Sequence, residues 1–300
     1  MNRVLLLSTA LTLAACDLGA NNLAVEEADY GTPGSALSSS SNGSVMWMVD
    51  YQTTKAFDAD GGTPLFAAPQ FWQWVPRDLA PSHEHGNAIW VLHTNGWRIE
   101  YDIDGTMHSA RPAIPNGQFP AEHRAYGNFA AGQDGAQYMT TTEVSATGSK
   151  QHYVYRQDPT TMDWTRVVGS NLYWASLDYD TVRDWVVRVD RENLQVVLHY
   201  LDPDTLVEIG ELAIPGAPGQ FNDFAVFGGL SAFTPGNHRI YLFDEFGDLE
   251  DVSVPADQLL GSKGVEFRLS AAVELDLWWT SRTSSAAPHT AGWFDVESVP

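Results

Sequence analysis

The chain has 300 residues and is strongly acidic, with 38 Asp and Glu against 16 Lys and Arg, a formal net charge of -22 and a pI near 4.5. Such a surface repels phosphates and anionic lipid headgroups, which argues against binding of DNA or RNA. The single cysteine rules out an internal disulfide, so a folded domain of this chain must rest on its apolar core.

That cysteine ends an apolar N-terminal stretch, MNRVLLLSTALTLAAC. Arg3 begins it with a positive charge, and the apolar core of about a dozen residues fits a signal peptide but is too short to span a membrane. The last four residues, LAAC, resemble the bacterial lipobox. The resemblance implies cleavage before Cys16, a diacylglycerol on its thiol and anchoring to the inner or outer membrane of a bacterial cell envelope. The alternative is a plain secretory signal.

Residues 16–44 are rich in Ser, Gly, Ala and Asn, as in SALSSSSNGS. Such a composition offers little apolar surface to offset the entropy of ordering, so we predict a flexible tether. An inconspicuous first strand within it is the alternative. The sequence therefore divides into a signal peptide (1–15), a lipidated Cys16 with its tether (16–44) and a folded domain (45–300), which would stand in the periplasm or at the cell surface.

Within the predicted domain, short apolar and aromatic runs alternate with Gly, Pro, Asp and Asn turns. Helical spacing is scarce. Six segments end in an aspartate, followed in most cases by a polar turn, and these aspartates lie 42–56 residues apart. They are Asp50, Asp102, Asp158, Asp202, Asp244 and Asp295. An aspartate at such a position accepts hydrogen bonds from amides two or three residues later and so closes a turn. With another pair of strands between markers, each period contains about four strands, which indicates a β-propeller.

Two stretches, FAAGQDGAQYMTTTEV…HYVYRQDPTTMDW and WVVRVDRENLQVVLHYLDPDTLVEIGELAI, resemble NHL-type or YVTN-type propeller repeats. The resemblance implies an all-β propeller of about six four-stranded blades, with five to seven possible. We expect strands around residues 45–50 and 292–299 to share one blade and close the ring, and residues 60–88 to form an insertion. A pair of β-sandwiches is the structural alternative.

The stretch APSHEHGNAIWVLH contains two histidines one residue apart, His83 and His85. In an extended segment these side chains share a face, and two imidazoles so placed can ligate Zn²⁺ with a third His or a carboxylate. The alternative is a polar loop that carries histidines without a ligand.

A second candidate metal site comes from GQFNDFAVFGG, in which Asn222 and Asp223 precede a predicted strand, with Asn128 similarly placed. In six-bladed lactonase-like hydrolases, Glu, Asn and Asp residues near the starts of inner strands hold a central Ca²⁺. The resemblance implies a metal that polarises a carbonyl and activates water. The Glu ligand and the surrounding motifs of that family are not recognisable in this sequence.

The FWQW stretch places Trp72 and Trp74 in the predicted insertion, where exposed rings could stack on sugars or bind a protein. No GxSxG, free cysteine in the body or nucleotide-binding glycine motif is present, so we predict no catalytic residues. The sequence favours a membrane-tethered binding scaffold with a protein partner in the envelope. The alternatives are a hydrolase that depends on Ca²⁺ or Zn²⁺, and a carbohydrate-binding module.

Overall fold

The computed structural model describes residues 36–296 except for 50–52, 61, 70–75, 115–123, 145–146, 169–175, 193–194, 218–222, 235–238, 250–263, 270–273 and 282–289. Every element named in it is a β-strand, and none of its residues forms a helix able to cross a membrane. The strands form six antiparallel sheets, four with four strands and two with three.

The strands of the first three sheets are β1 (Ala36–Ser39), β2 (Val45–Val49), β3 (Thr53–Asp58), β4 (Pro64–Pro69), β5 (Pro76–Pro81), β6 (Ile89–His93), β7 (Trp97–Tyr101), β8 (Met107–Pro112), β9 (Arg124–Ala131), β10 (Gln137–Val144), β11 (Lys150–Gln157) and β12 (Trp164–Val168). Those of the last three are β13 (Ser176–Asp180), β14 (Trp185–Glu192), β15 (Gln195–Leu201), β16 (Glu208–Ile214), β17 (Asp223–Phe227), β18 (Leu230–Thr234), β19 (Tyr241–Phe243), β20 (Val265–Leu269), β21 (Leu275–Ser281) and β22 (Thr290–Asp295).

The first strands of the six sheets form a closed ring. In chain order β1, β5, β9, β13, β17 and β20 each contact the next, and β20 contacts β1 again. Each sheet therefore extends outward from a common centre, which is the arrangement of a β-propeller. The predicted all-β propeller fold is confirmed, and six sheets agree with the expected blade number.

An apolar cluster fills each of the six interfaces between neighbouring blades. Between blades 2 and 3, for example, Trp90 and Leu92 pack against Phe129, Met139 and Trp164. Because a central strand is covered by a blade on either side, it has no solvent face to mark with polar residues. All five residues of β2 and of β6 are accordingly buried, whereas the outer strands β8 and β16 keep exposed positions.

The predicted turn aspartates have the expected local role in four blades. Asp102, Asp158, Asp202 and Asp244 follow the third strand of blades 2 to 5 and accept backbone amides from the turn residues after them. In blade 1 this position belongs to Asp58, whose carboxylate accepts the amide of Asp60. The marker chosen from the sequence, Asp50, follows the second strand and lies outside the described residues.

Three boundaries differ from the sequence prediction. The first strand begins at Ala36, so the domain starts earlier than residue 45 and includes the end of the predicted tether. Residues 60–88 are no insertion, because they supply β4 and β5. The ring is also not closed by a shared blade, because β2 belongs to the first sheet and β22 to the last. The first strand, ALSS, is short and half polar, so its sequence pattern does not identify it as a strand.

The first and last blades are joined by Arg268 of β20. Its guanidinium donates to the carbonyl oxygens of Gly43 and Ala59 in blade 1, at 2.7 Å each, and binds the carboxylates of Asp60 and Asp276. Beside it, Trp278 is fully buried against apolar residues of blade 1. One buried cation and one apolar cluster thus hold the ring closed.

Replacing Arg268 with methionine is expected to lower the free energy of unfolding by about 3 kcal/mol, because the nearly buried carboxylate of Asp276 loses its cation. Chemical denaturation measures the change. Arg183→Met is the matched control. Arg183 also pairs with a carboxylate of the next blade, that of Glu245, but Glu245 is solvent-exposed. That control is expected to cost about 1 kcal/mol or less. Equal losses for the two variants would contradict the role of Arg268 in closing the ring.

Candidate functional site: an acidic central channel

Four acidic side chains from four different blades line the centre of the propeller. Asp78 lies on β5, Asp178 on β13, Asp223 on β17 and Glu266 on β20. Together they form the channel carboxylates. Each lies on an innermost strand, so the ring of strands brings together residues far apart in sequence.

Each channel carboxylate accepts a backbone amide from the innermost strand of the following blade. The pairs are Asp78 with Phe129 at 2.7 Å, Asp178 with Val226 at 2.8 Å, Asp223 with Val265 at 3.0 Å and Glu266 with Ser39 at 3.4 Å. These bonds fix the carboxylates in position and connect neighbouring blades. They also leave each carboxylate with further lone pairs for another partner.

Burial and mutual repulsion both disfavour the charged forms of these groups. Burial raises the pKa of Asp78 and of Asp178 to about 7, with the charge of Asp78 adding to the effect at Asp178. The pKa values of Asp223 and Glu266 are raised well above their usual range, again mainly by burial and then by the other channel carboxylates. At neutral pH the channel therefore holds protons unless a cation replaces them.

The channel carboxylates surround a narrow cavity of about 70 Å³, which has room for water or a small ion. It continues into a wider mouth of about 570 Å³ at the C-terminal ends of the innermost strands. The mouth is lined by the β1–β2 turn and by His83, Gln133, Tyr179 and Arg268, while Asp178 and Glu266 line both cavities. A ligand in the mouth thus has direct access to acidic groups.

The donor atoms of the channel suit a hard cation such as Ca²⁺, which prefers carboxylate and carbonyl oxygens. Two oxygens on one Ca²⁺ are at most about 4.8 Å apart. Within the part of the chain that the structure describes, no three channel carboxylates have ligand atoms that all lie within 4.8 Å. An ion bound to this arrangement would contact at most two of them directly and reach the others through water.

The sequence-predicted metal ligands are divided between two places. Asp223 lies in the channel, and Asn128 is hydrogen-bonded through its side chain to Asp78. Asn222 lies outside the described residues. His83 and His85 do not share a face, because their segment is a turn and not an extended strand: His83 lies near Asp134 at the mouth, whereas His85 contacts Glu100. Packing lowers the pKa of His83, and the hydrogen bond to Glu100 raises that of His85.

Sequence reasoning missed three of the channel carboxylates, Asp78, Asp178 and Glu266. The available signal was an acidic residue flanked on both sides by apolar or aromatic residues in a short strand, as in SLDYD and VEFRL. Trp72, Trp74 and Cys16 all lie outside the described residues, so ligand binding by the tryptophans and lipidation of the cysteine stay predictions.

Comparison with known proteins supports the architecture. No family model matches the chain, and no curated protein matches its sequence. Among solved structures it is similar to a luciferin-regenerating enzyme, with 15% identity, a TM-score of 0.64 and coverage of 88% of this chain and 92% of that one. A chain of a nidogen/laminin complex matches with 15% identity, a TM-score of 0.57 and coverage of 77% and 83%.

The propeller domain of Cps50 (Swd1) from Myceliophteria thermophila is a third match, with 10% identity, a TM-score of 0.55 and coverage of 87% and 96%. At such low identity these similarities concern the fold alone. The chain is thus a β-propeller protein with a central acidic channel, and its fold is consistent with a binding scaffold.

Proposed function

We propose that this chain is a cell-envelope binding protein whose acidic channel takes a cationic ligand, with Ca²⁺ or another hard divalent cation as the simplest example. The observation that carries the proposal is the convergence of four channel carboxylates behind an open mouth of about 570 Å³. Each of four blades contributes one acid to this point, and among the described residues that line the narrow cavity there is no lysine or arginine.

The energetic argument concerns unpaired buried charge. A carboxylate removed from water is costly unless a cation or hydrogen-bond donors compensate it. The hydrogen-bond donors of the channel are neutral and compensate these carboxylates only in part: each accepts one amide from the next blade, and Asp78 and Asp178 accept a second amide from their own strand. A cation entering the channel compensates several of them at once, so cation binding and loss of protons from these groups are coupled.

Calorimetric titration of the purified full-length protein with CaCl₂ at about pH 8 tests the proposal, because this pH lies above the pKa of about 7 of Asp78 and Asp178. We expect Ca²⁺ to bind, and Asp178→Asn to weaken its affinity at least about tenfold. Asp134→Asn is the matched control, because Asp134 is exposed in a turn outside the narrow cavity, and this variant is expected to bind as wild type. Absence of Ca²⁺ binding at millimolar concentration, or equal effects of both variants, would contradict the proposal.

A metal-dependent hydrolase is the second candidate. It is favoured by the position of Asp223 and Asn128 at the channel. A bound metal would supply Lewis-acid polarisation of a carbonyl, while these residues would hold and orient it. It ranks second because it requires a bound substrate and an activated water in addition to the cation that the first proposal needs. Hydrolysis of lactones or esters that is abolished by a chelator and by Asp223→Asn would favour the hydrolase over the binding protein.

Membrane attachment through Cys16 completes the proposal, with the LAAC motif as its support. In a bacterial host, Cys16→Ser is expected to abolish incorporation of a labelled fatty acid and to shift nearly all the protein from the membrane to the soluble fraction. Labelling followed by fractionation measures both effects. Asp17→Asn is the control, because it leaves the acylated thiol in place and should retain the label. A Cys16→Ser protein that stays fully membrane-bound would contradict anchoring by this thiol.

Carbohydrate binding by Trp72 and Trp74 stays an alternative.

A further inference from the structure

A second group of ligand-type side chains lies in blade 2, apart from the channel. Glu84 and His85 are in the turn between β5 and β6, and Glu100 is on β7. One ligand atom from each of these three residues lies within 4.8 Å of the other two. This group is the blade-2 triad. None of its members lines the narrow channel cavity or the mouth, so the triad is independent of the channel site.

The unusual member of the triad is Glu100, whose side chain is 1% exposed. Its Oε1 accepts the hydroxyl of Ser82 and lies 2.9 Å from Nδ1 of His85. Its Oε2 is buried and has no hydrogen-bond partner. An unsatisfied carboxylate oxygen inside a protein costs about 1–3 kcal/mol or more, and although the charge of Arg98 acts on Glu100, this atom has a free site for a directly bound cation.

The imidazole of His85 is held in place by its neighbours. Its ring stacks on that of His108, with centroids 4.0 Å apart and planes inclined by 4°. His108 is in turn fixed by Asp102, 3.1 Å from its Nε2. Outer groups that orient a ligating histidine and place negative charge near it are typical of metal centres. The triad is thus supported on both sides, by Ser82 beneath Glu100 and by His108 against His85.

We propose that the blade-2 triad binds a first-row divalent transition ion such as Zn²⁺ through Glu84, His85 and Glu100. An imidazole with two carboxylates suits Zn²⁺, whereas Ca²⁺ and Mg²⁺ prefer oxygen ligands alone. Ligand atoms on a tetrahedral Zn²⁺ are about 3.3 Å apart. The observed spacing therefore requires only small movements, and Glu84 is exposed and can supply them. Three protein ligands leave one position for water or an added ligand.

Titration of the metal-free, full-length protein with ZnCl₂ tests the site, with bound zinc also counted by elemental analysis. His85→Ala and Glu84→Gln change side chains at the surface, so their thermal melting should stay close to that of wild type. We expect wild type to bind one Zn²⁺ at micromolar or tighter affinity, and each variant to lose at least about tenfold in affinity. The Asp178→Asn variant of the channel should retain zinc binding, which separates this site from the proposed function.

The matched control is Glu208→Gln, because His199, Glu208 and Glu211 in blade 4 form the other described group whose ligand atoms lie within 4.8 Å of one another, but both of its carboxylates are exposed. It is expected to bind zinc as wild type does. Unchanged zinc affinity in His85→Ala and Glu84→Gln would overturn the proposal. So would loss of the site in Glu208→Gln, or a wild-type protein that binds no zinc at about 100 μM, well above the expected affinity.

Discussion

Replacing Asp180 with alanine is expected to lower the free energy of unfolding by about 4 kcal/mol. The carboxylate of this buried residue accepts four backbone amides at 2.9–3.2 Å. Two of these amides close its own turn, and two belong to Gly228 and Gly229 in the turn of the next blade. Alanine leaves all four donors without their acceptor, and each unmet buried donor costs about 1–3 kcal/mol where water cannot replace the carboxylate.

Two further variants separate this role from that of an ordinary turn residue. Asp180→Asn retains one oxygen acceptor and is expected to cost about half as much. Asp244→Ala removes an aspartate that also accepts turn amides, but that turn is exposed, so water can take over and a loss of about 1 kcal/mol is expected. Chemical denaturation compares the three. A similar loss for Asp180→Ala and Asp244→Ala would show that the contact between blades contributes little.

In metal-free buffer, stability is expected to fall as the pH rises from about 4 to beyond 7. The pKa values of Asp78 and Asp178 are about 7 in the folded protein, against 3.8 for an aspartate in the unfolded chain. Between these values the folded state binds protons that the unfolded chain has released. The stability that these protonated carboxyls give is therefore complete at low pH and is lost as the pH rises. Across this window, each carboxyl with a raised pKa can lower the free energy of unfolding by up to ~4 kcal/mol.

Melting curves measured at a series of pH values, with and without CaCl₂, test this expectation. Asp78→Asn and Asp178→Asn should each reduce the slope of unfolding free energy against pH, by at most about 1.4 kcal/mol per pH unit. Asp134→Asn, which changes an exposed acid, should leave the slope unchanged. At about pH 8, Ca²⁺ should restore part of the lost stability in the wild type, because a cation that binds only the folded state stabilises it. A stability that is flat between pH 4 and pH 8 would be incompatible with the raised pKa values.

Much of the architecture can be predicted from local chemistry. The turn aspartates Asp102, Asp158, Asp202 and Asp244 act through amides a few residues away, so the sequence alone contains their role. The strand Ala36–Ser39 escaped prediction because its place depends on contacts with β5 and β20, distant in sequence, and not on its own polar residues.

The candidate sites depend even more on the fold. Asp78 and Glu266 approach each other only because a closed ring places β5 and β20 around one axis. The pairing of His85 with Glu100, by contrast, joins residues of one blade, and a lone acid in the apolar strand WRIEY was a usable clue. What the sequence could not supply was the turn that separates His83 from His85, because the short segment is compatible with both extended and bent backbones.

The direction in which the chain enters the ring has a consequence for orientation. The mouth opens at the C-terminal ends of the innermost strands, whereas the chain enters β1 at Ala36, on the opposite side of the disc. With the proposed anchor at Cys16, the lipid is attached on the entry side. A tether that joins the disc on this side does not have to cross the mouth, so attachment through Cys16 would leave the mouth open to ligands from the aqueous compartment.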